Sequence, residues 1–291
     1  MKKVMLEIKN LTKYYGKVLG VENLSLSLTE GEIFGFIGPN GAGKSTTIRS
    51  IMNLIDKTEG EILIEGKEYD KNDIKMKEMI GYLPSEIHLY DDFTVKEMLD
   101  YHESFYKKDI HSKRCELVSR LKLEESKKIE DLSLGNLKKV GIVLAIMHDA
   151  KILIFDEATS GLDPIMQETF YEILKEEQKK GKTILYSTHV LSEVSKICNR
   201  VGMIKNGHLL KVQTLEEMKK NNFTLVTIKS PDIKKILSKL TGEIVFQEGD
   251  FVKLKNNLAP NDLMAVLSPY KIEKLFIEEA TLEEIFLHDY E

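Results

Sequence analysis

The chain has 291 residues, 42% of them hydrophobic, which is enough for one large or two modest domains around a buried core. Its 47 acidic and 42 basic side chains leave a net charge of −5 with no arginine-rich stripe, so no nucleic-acid partner is expected. Two widely spaced cysteines, Cys115 and Cys198, lie outside any C-x-x-C pattern; neither a disulfide framework nor a zinc site is expected, and a reducing compartment suits the chain. The longest apolar run, VGIVLAIM at 140–147, is far short of the ~20 residues that a membrane span needs, and MKKVMLEIKN does not read as a signal peptide.

Residues 4–28 alternate apolar and polar in two runs, the period of half-buried antiparallel strands. EIFGFI (32–37) then reads as a short buried strand, and STTIRSIMNLI (45–55) as a helix. Between them stands GPNGAGKST, Gly38 to Thr46, which fits the phosphate-loop pattern G-x-x-x-x-G-K-[ST]. The glycines let backbone N–H groups close around phosphate oxygens, Lys44 supplies a compact positive charge, and Ser45 offers a hydroxyl to Mg²⁺. The helix that follows turns its positive end toward the phosphates.

GEILIEGK (60–67) is a further strand, and MIGYLP (79–84) another that Pro84 ends. From Thr94 to about Lys128 the pattern is helical and charged, with Val95, Met98, Leu99 and Phe105 along one side. LSLGNLKKVGIVLAIMHDA (132–150) places a Ser and a Gly at a helix start and follows them with a segment that must be buried. KILIFDE is an apolar strand ending in two carboxylates, Asp156 and Glu157. Asp163 and Pro164 form an N-cap and first helical position for a helix running to Lys180 and stopped by Gly181. TILYSTH is the next buried strand, ending on His189, and VGMIKNGHLLKV is a hairpin turning on Asn206-Gly207. Buried strands alternating with helices indicate a parallel sheet with helices packed on it. Past about Leu215 the texture changes to a compact β-α-β-β-α-β module, closed by a short helix that Thr281 and Glu284 cap and that carries Leu282, Ile285 and Phe286.

Carboxylates at a buried strand end downstream of a phosphate loop have a joint reading. Asp156 helps to hold Mg²⁺ through water, and Glu157 polarises the water that attacks the γ-phosphate. That pair fits many nucleotide hydrolases. The order GPNGAGKST, LSLGN, ILIFDEATSGLD, STH narrows the choice: over residues 4 to about 214 the chain resembles the ATP-binding cassette (ABC) ATPase.

The resemblance implies an α/β fold, a P-loop ABC ATPase core with a mixed sheet, an antiparallel β layer and a helical subdomain, followed by a small C-terminal α+β module. With the change of texture past about Leu215, the expected division is 1–217 and 218–291, with the helical subdomain at about 94–150. It makes Tyr15 the aromatic that stacks on adenine and Gly38, Pro39, Asn40, Gly41, Ala42, Gly43, Lys44, Ser45 and Thr46 the phosphate cradle. Asp156 joins Ser45 on the metal, Glu157 is the catalytic base and His189 the γ-phosphate switch. Ser160, Gly161, Leu162 and Asp163 resemble the loop that touches the partner subunit. Ser133, Gly135 and Asn136 belong to a signature that serves the ATP of the other subunit, so two cassettes face each other head to tail. The signature departs from the usual L-S-G-G-Q at Leu134 and Asn136. Ser85 stands where the family has a glutamine that reaches the metal and the attacking water, and its loop meets the membrane partner; serine is too short for that reach, which leaves Glu86 or a water to substitute, or slow turnover.

The expected activity is ATP hydrolysis with ATP and Mg²⁺, by a cytoplasmic subunit held on the cytosolic face of the cell membrane through a separate permease. The tail ending TLEEIF resembles cassettes of two-component bacterial exporters of antibiotics, peptides and drugs. Two rivals stay open: a weakly hydrolysing regulatory cassette, favoured by Ser85 and the altered signature, and a non-transport ABC protein acting on nucleic acid or ribosomes.

Overall fold

The computed structural model describes residues 2–70, 72–220, 224–240, 242–256, 258–280 and 284. They divide into two compact units, Met1–Leu215 and Glu216–Glu291. The elements of the first begin with β1 (Val4–Tyr15), β2 (Val18–Thr29), β3 (Ile33–Ile37), α1 (Lys44–Ile51), β4 (Glu59–Ile64) and β5 (Lys67–Glu68). They continue with α2 (Ile74–Glu78), β6 (Ile80–Leu83), α3 (Val95–Glu103), α4 (His111–Arg120), α5 (Leu134–Ile146) and β7 (Ile152–Asp156). The unit closes with α6 (Pro164–Lys179), β8 (Thr183–Thr188), α7 (Leu191–Ile197), β9 (Arg200–Lys205), β10 (His208–Thr214) and the start of α8 (Leu215–Lys220).

Two sheets carry this unit. The larger has the order β10-β9-β3-β8-β7-β6; β10 is antiparallel to β9 and the other neighbours run parallel. The smaller is antiparallel, ordered β2-β1-β4-β5. Alternation along β1 and β2 puts Leu6, Ile8, Leu24 and Leu28 on one face. That face shares a core with Ile48 and Ile51 of α1 and with Phe34, Phe36, Ile154 and Leu185 of the central strands. On the opposite face Phe155 of β7 meets Phe170 of α6 edge-on, with ring centroids 5.2 Å apart. The central strands β3, β7 and β8 are buried throughout, as continuous apolar runs in a sheet covered on both faces must be.

Local chemistry sets the helix starts. Thr94 and Glu97 cap α3 reciprocally, Thr94 N donating to Glu97 Oε2 at 2.7 Å and Glu97 N to Thr94 Oγ1 at 3.2 Å. Asp163 caps α6 through the Met166 N–H at 3.0 Å. Two expectations shift. The helix after the phosphate loop ends at Ile51, because Asn53 adopts a left-handed φ of 52°, and Phe105 lies past the end of α3 and is exposed instead of joining Val95, Met98 and Leu99 in the core.

The second unit forms the antiparallel sheet β12-β13-β11-β14, from β11 (Thr224–Lys229), α9 (Ile233–Leu237), β12 (Ile244–Glu248), β13 (Phe251–Asn256), α10 (Pro260–Leu267) and β14 (Lys274–Glu279). Val226, Ile228, Val252 and Leu254 of the sheet pack with Ile233, Ile236, Leu263 and Leu267 of the two helices. This is the expected β-α-β-β-α-β order, with α9 starting after Ser230, whose hydroxyl accepts the Asp232 N–H at 3.0 Å. The predicted final helix over Thr281, Leu282, Ile285 and Phe286 lies outside the described residues. Among the described residues no helix is long and apolar enough to cross a membrane.

Candidate functional site

The phosphate loop joins β3, in the middle of the parallel sheet, to α1. Gly43 holds φ at 111°, and a Cβ there would fall 2.7 Å from Val21 Cγ1 and 2.8 Å from the Gly20 carbonyl, so only glycine makes this turn. Lys44, the first residue of α1, is 5% exposed. Its Nζ donates to the carbonyls of Gly38 (2.6 Å) and Pro39 (3.2 Å) and lies 3.4 Å from Glu157 Oε1. The loop and the end of the antiparallel layer surround a cavity of about 470 Å³, lined among others by Tyr15, Gly20, Lys44, Ser45, Ser85 and Glu157. Pro39, Asn40, Gly41, Gly43 and Thr46 line it too, whereas Gly38 and Ala42 do not. Tyr15 ends β1 half-exposed and lines the cavity, with Lys13 Nζ over its ring, 5.1 Å from the centroid.

β7 and β8 are parallel neighbours, which brings their ends together. Asp156 is buried and its Oδ1 accepts the Ser187 hydroxyl at 2.9 Å, while Oδ2 is buried with no partner among the described residues. A buried carboxylate oxygen without a donor costs free energy unless something positive completes it. With the Ser45 hydroxyl lining the adjacent cavity, the donor set is all oxygen and suits a hard divalent cation such as Mg²⁺. Glu157 follows with a left-handed φ of 51°, uncommon for a residue with a side chain and of the kind that clusters at working sites. Its Oε2 is 2.9 Å from His189 Nδ1. A carboxylate only accepts, so Nδ1 carries the hydrogen. Glu157 thereby stands between an ammonium and an imidazole.

On the far side of Glu157 a second cleft of about 360 Å³ is lined by Thr159, Ser160, Gly161, Tyr171, His189 and Glu193 among others. Leu162 is buried below this loop, and Asp163 leaves it to cap α6. Ser133 caps α5 by a long 3.4 Å bond from the Asn136 N–H and is itself exposed. Gly135 meets the loop of the second cleft; a Cβ there would sit 2.4 Å from the Gly161 carbonyl. Ser133, Gly135 and Asn136 line neither cleft. Ser85 is at the first cleft, whereas Glu86 is exposed and lines neither.

Three further residues stand out only in three dimensions. Ser187 holds Asp156. Glu193 is buried and accepts the hydroxyls of Thr159 (2.6 Å), Tyr186 (2.8 Å) and Thr188 (2.8 Å), so it ties the loop after Glu157 to the strand that carries His189. Burial, with Glu193 beside it, pushes the Tyr186 phenol well up and keeps it a donor. Lys138 is 1% exposed on α5 and donates to the carbonyls of Ser85 (2.6 Å) and Pro84 (3.2 Å). The sequence gives it no separate signal: it stands beside Lys139, two residues before the apolar run that starts at Val140.

Residues 21–160 match the protein family described as ABC transporter. The chain is 36% identical to the linearmycin resistance ATP-binding protein LnrL of Bacillus subtilis (strain 168), over 74% of this chain and 70% of that one. It is 32% identical to the bacitracin transport ATP-binding protein BcrA of Bacillus licheniformis, over 98% and 95% of the two chains. Among solved structures, the dimeric post-hydrolysis state of the ATP-binding cassette MJ0796 bound to ADP and Pi superposes with a TM-score of 0.65 at 26% identity, covering 72% of this chain and 99% of that one.

Proposed function

The chain belongs to the ABC transporter family as an ATP-hydrolysing, nucleotide-binding subunit, and on that premise we propose that it pairs with a second cassette around ATP and powers a separate membrane permease that exports drugs, antibiotics or peptides. The observation that carries the reading is Glu157, held between Lys44 at 3.4 Å and His189 at 2.9 Å at the junction of the two clefts. Export is supported by the relatives named for linearmycin resistance and bacitracin transport.

In this reading ATP lies in the first cleft with adenine against Tyr15 and phosphates in the loop Gly38 to Thr46, over the backbone N–H groups that every residue of it but Pro39 carries. Lys44 exchanges its bonds to the Gly38 and Pro39 carbonyls for phosphate oxygens. Ser45 and Asp156 would hold Mg²⁺, which would neutralise charge on the phosphates. Glu157 takes the proton of the attacking water, and His189, oriented by its Nδ1–H bond to Glu157, turns its other ring nitrogen to the γ-phosphate.

The exposed Ser133 and the Gly135 backbone serve the ATP of the partner cassette, and Ser160 to Asp163 meet that partner. Moving an equilibrium from mostly open to mostly closed takes about 5.5 kcal/mol. A hydrogen bond to a charged group contributes about 1.5 to 3 kcal/mol, so two such bonds at each of two sites suffice. Loss of the γ-phosphate removes them and the halves part. The division at 1–217 and 218–291 keeps the ATPase in the first part; the second is a separate module.

The test is the Glu157→Gln chain on a sizing column with and without ATP. An ATP-dependent dimer is expected, and a monomer under both conditions counts against the shared site. Co-purification with a membrane protein from native membranes tests the permease. A second reading, the regulatory cassette, is favoured by the short Ser85 at the cavity wall; turnover that stays negligible with the permease present selects it.

A further inference from the structure

We propose that Lys138 is a positioning residue for ATP hydrolysis: from α5 it clamps the loop after β6 and holds Ser85 at the wall of the nucleotide cavity. The inference rests on the ATP site proposed above. Four observations carry it. Lys138 is 1% exposed, yet no carboxylate pairs with it among the described residues. Its ammonium goes instead to two consecutive backbone carbonyls, Ser85 at 2.6 Å and Pro84 at 3.2 Å. One turn further along α5, the bare face of Gly141 admits Leu83 and Ile87, so the segment 83–87 is gripped at both ends. Ser85 itself lines the cavity with Lys44 and Glu157.

A buried ammonium is costly unless well compensated, and a leucine or methionine at 138 would continue the apolar run of α5 without that cost. The charge is therefore doing something that packing alone does not require. Burial pulls the lysine below its ordinary range, while the negative charges of Asp156 and Glu157 oppose the fall. The clamp thus joins two parts: the helix that begins with Ser133 and Gly135, and the cavity wall at Ser85. Ser85 is too short to reach the attacking water by itself, so its backbone has to be held close, and Lys138 holds it. Because the lysine touches the loop and not the nucleotide, its loss should act on the chemical step and spare binding.

The test is steady-state ATP turnover of the full chain carrying Lys138→Met, which keeps the stem without the ammonium, beside Lys138→Gln, which keeps a donor without the charge. In Lys138→Met, kcat should fall about ten-fold or more while KM for ATP changes by less than about two-fold, and Lys138→Gln should recover part of the lost kcat. A kcat within about two-fold of the unaltered chain in folded Lys138→Met overturns the proposal, and so does a parallel loss of kcat and ATP affinity. Should Lys138→Met fail to fold, Lys138→Gln decides alone: kcat lowered about three-fold or more with KM kept supports the clamp, and unchanged kcat overturns it. Lys44→Ala separates this proposal from the reading beneath it. Retained ATP affinity there sinks the ATP site; lost affinity there, with normal turnover in Lys138→Met, sinks the clamp alone.

Discussion

Lys44 and Lys138 are nearly excluded from water, and each donates bonds of 2.6 and 3.2 Å to two consecutive carbonyls, Gly38 and Pro39 in one case, Ser85 and Pro84 in the other. Their surroundings differ. Lys44 lines the 470 Å³ cavity with Glu157 3.4 Å away, so an entering anion can compete for its N–H groups. Lys138 lines no part of that cavity, and its partners are backbone that has no substitute. In the proposed reading, the same local bond pattern serves a ligand where the ammonium opens on a cavity and holds the scaffold where it does not. The scaffold grip extends beyond Lys138: the ring nitrogens of His148 face the carbonyls of Ile80 on β6 (3.2 Å) and Leu144 on α5 (3.3 Å), across the same helix–strand seam.

The strongest way to sharpen this contrast is to remove the carboxylate beside Lys44. Glu157→Gln should lower ATP turnover about 1,000-fold while leaving nucleotide binding intact, checked by phosphate release and by nucleotide titration. Near-normal turnover would mean that the carboxylate beside Lys44 is not the base. Next in size, Lys44→Ala should weaken ATP binding about 100-fold, the loss of one or two charge-assisted bonds, read from a fluorescent-nucleotide titration. Equal affinities in Lys44→Ala and Lys138→Met would erase the distinction between ligand lysine and scaffold lysine.

A smaller effect is expected at the clamped loop. Ser85→Gln, with a side chain long enough to meet the attacking water, should raise turnover about two- to three-fold, and no rise would mean that the backbone held by Lys138 already sets the rate. The mildest prediction concerns pH at His102 of α3 and His148 beside it, whose ring centroids are 5.8 Å apart. Burial holds His102 down at about 4, with His148 adding to the effect, and burial also lowers His148. Between the ordinary imidazole range near ~6.5 and about 4 the folded chain binds fewer protons than the unfolded chain. The stability these rings contribute is therefore full above about pH 6.5 and is lost as the pH falls toward 4. Tm should drop from about pH 7.5 to about pH 5.5, and His102→Phe should flatten part of the drop; an equal drop in that variant would place the acid sensitivity elsewhere.

Much of this molecule was legible in the chain. The phosphate loop, the Asn206-Gly207 hairpin and the Asp163-Pro164 helix start depend on residues a few positions apart, whose conformational preferences act before any packing does. Buried strands such as Ile33–Ile37 and Ile152–Asp156 are continuous apolar runs, and their alternation with helices suffices for the sheet. Lys138 was not legible. A lysine beside Lys139 on a charged helix start reads as a solvated face, and only the seating of α5 against β6 withdraws it from water. Glu193 is similar: its acceptors gain meaning when Thr159, Tyr186 and Thr188 converge on them.

By itself, then, the sequence determined which local geometries form, namely the left-handed turn at Gly43, the capped helix starts and the strands too apolar to stay exposed. The tertiary structure decided which side chains share a cavity. Parallel pairing of β7 with β8 sets His189 against Glu157, and α5 on β6 carries Lys138 to Ser85. The physical reason is range: backbone preference and hydrophobic period act over a few residues, whereas burial, which turns an ordinary lysine into a clamp, is a property of everything packed around it.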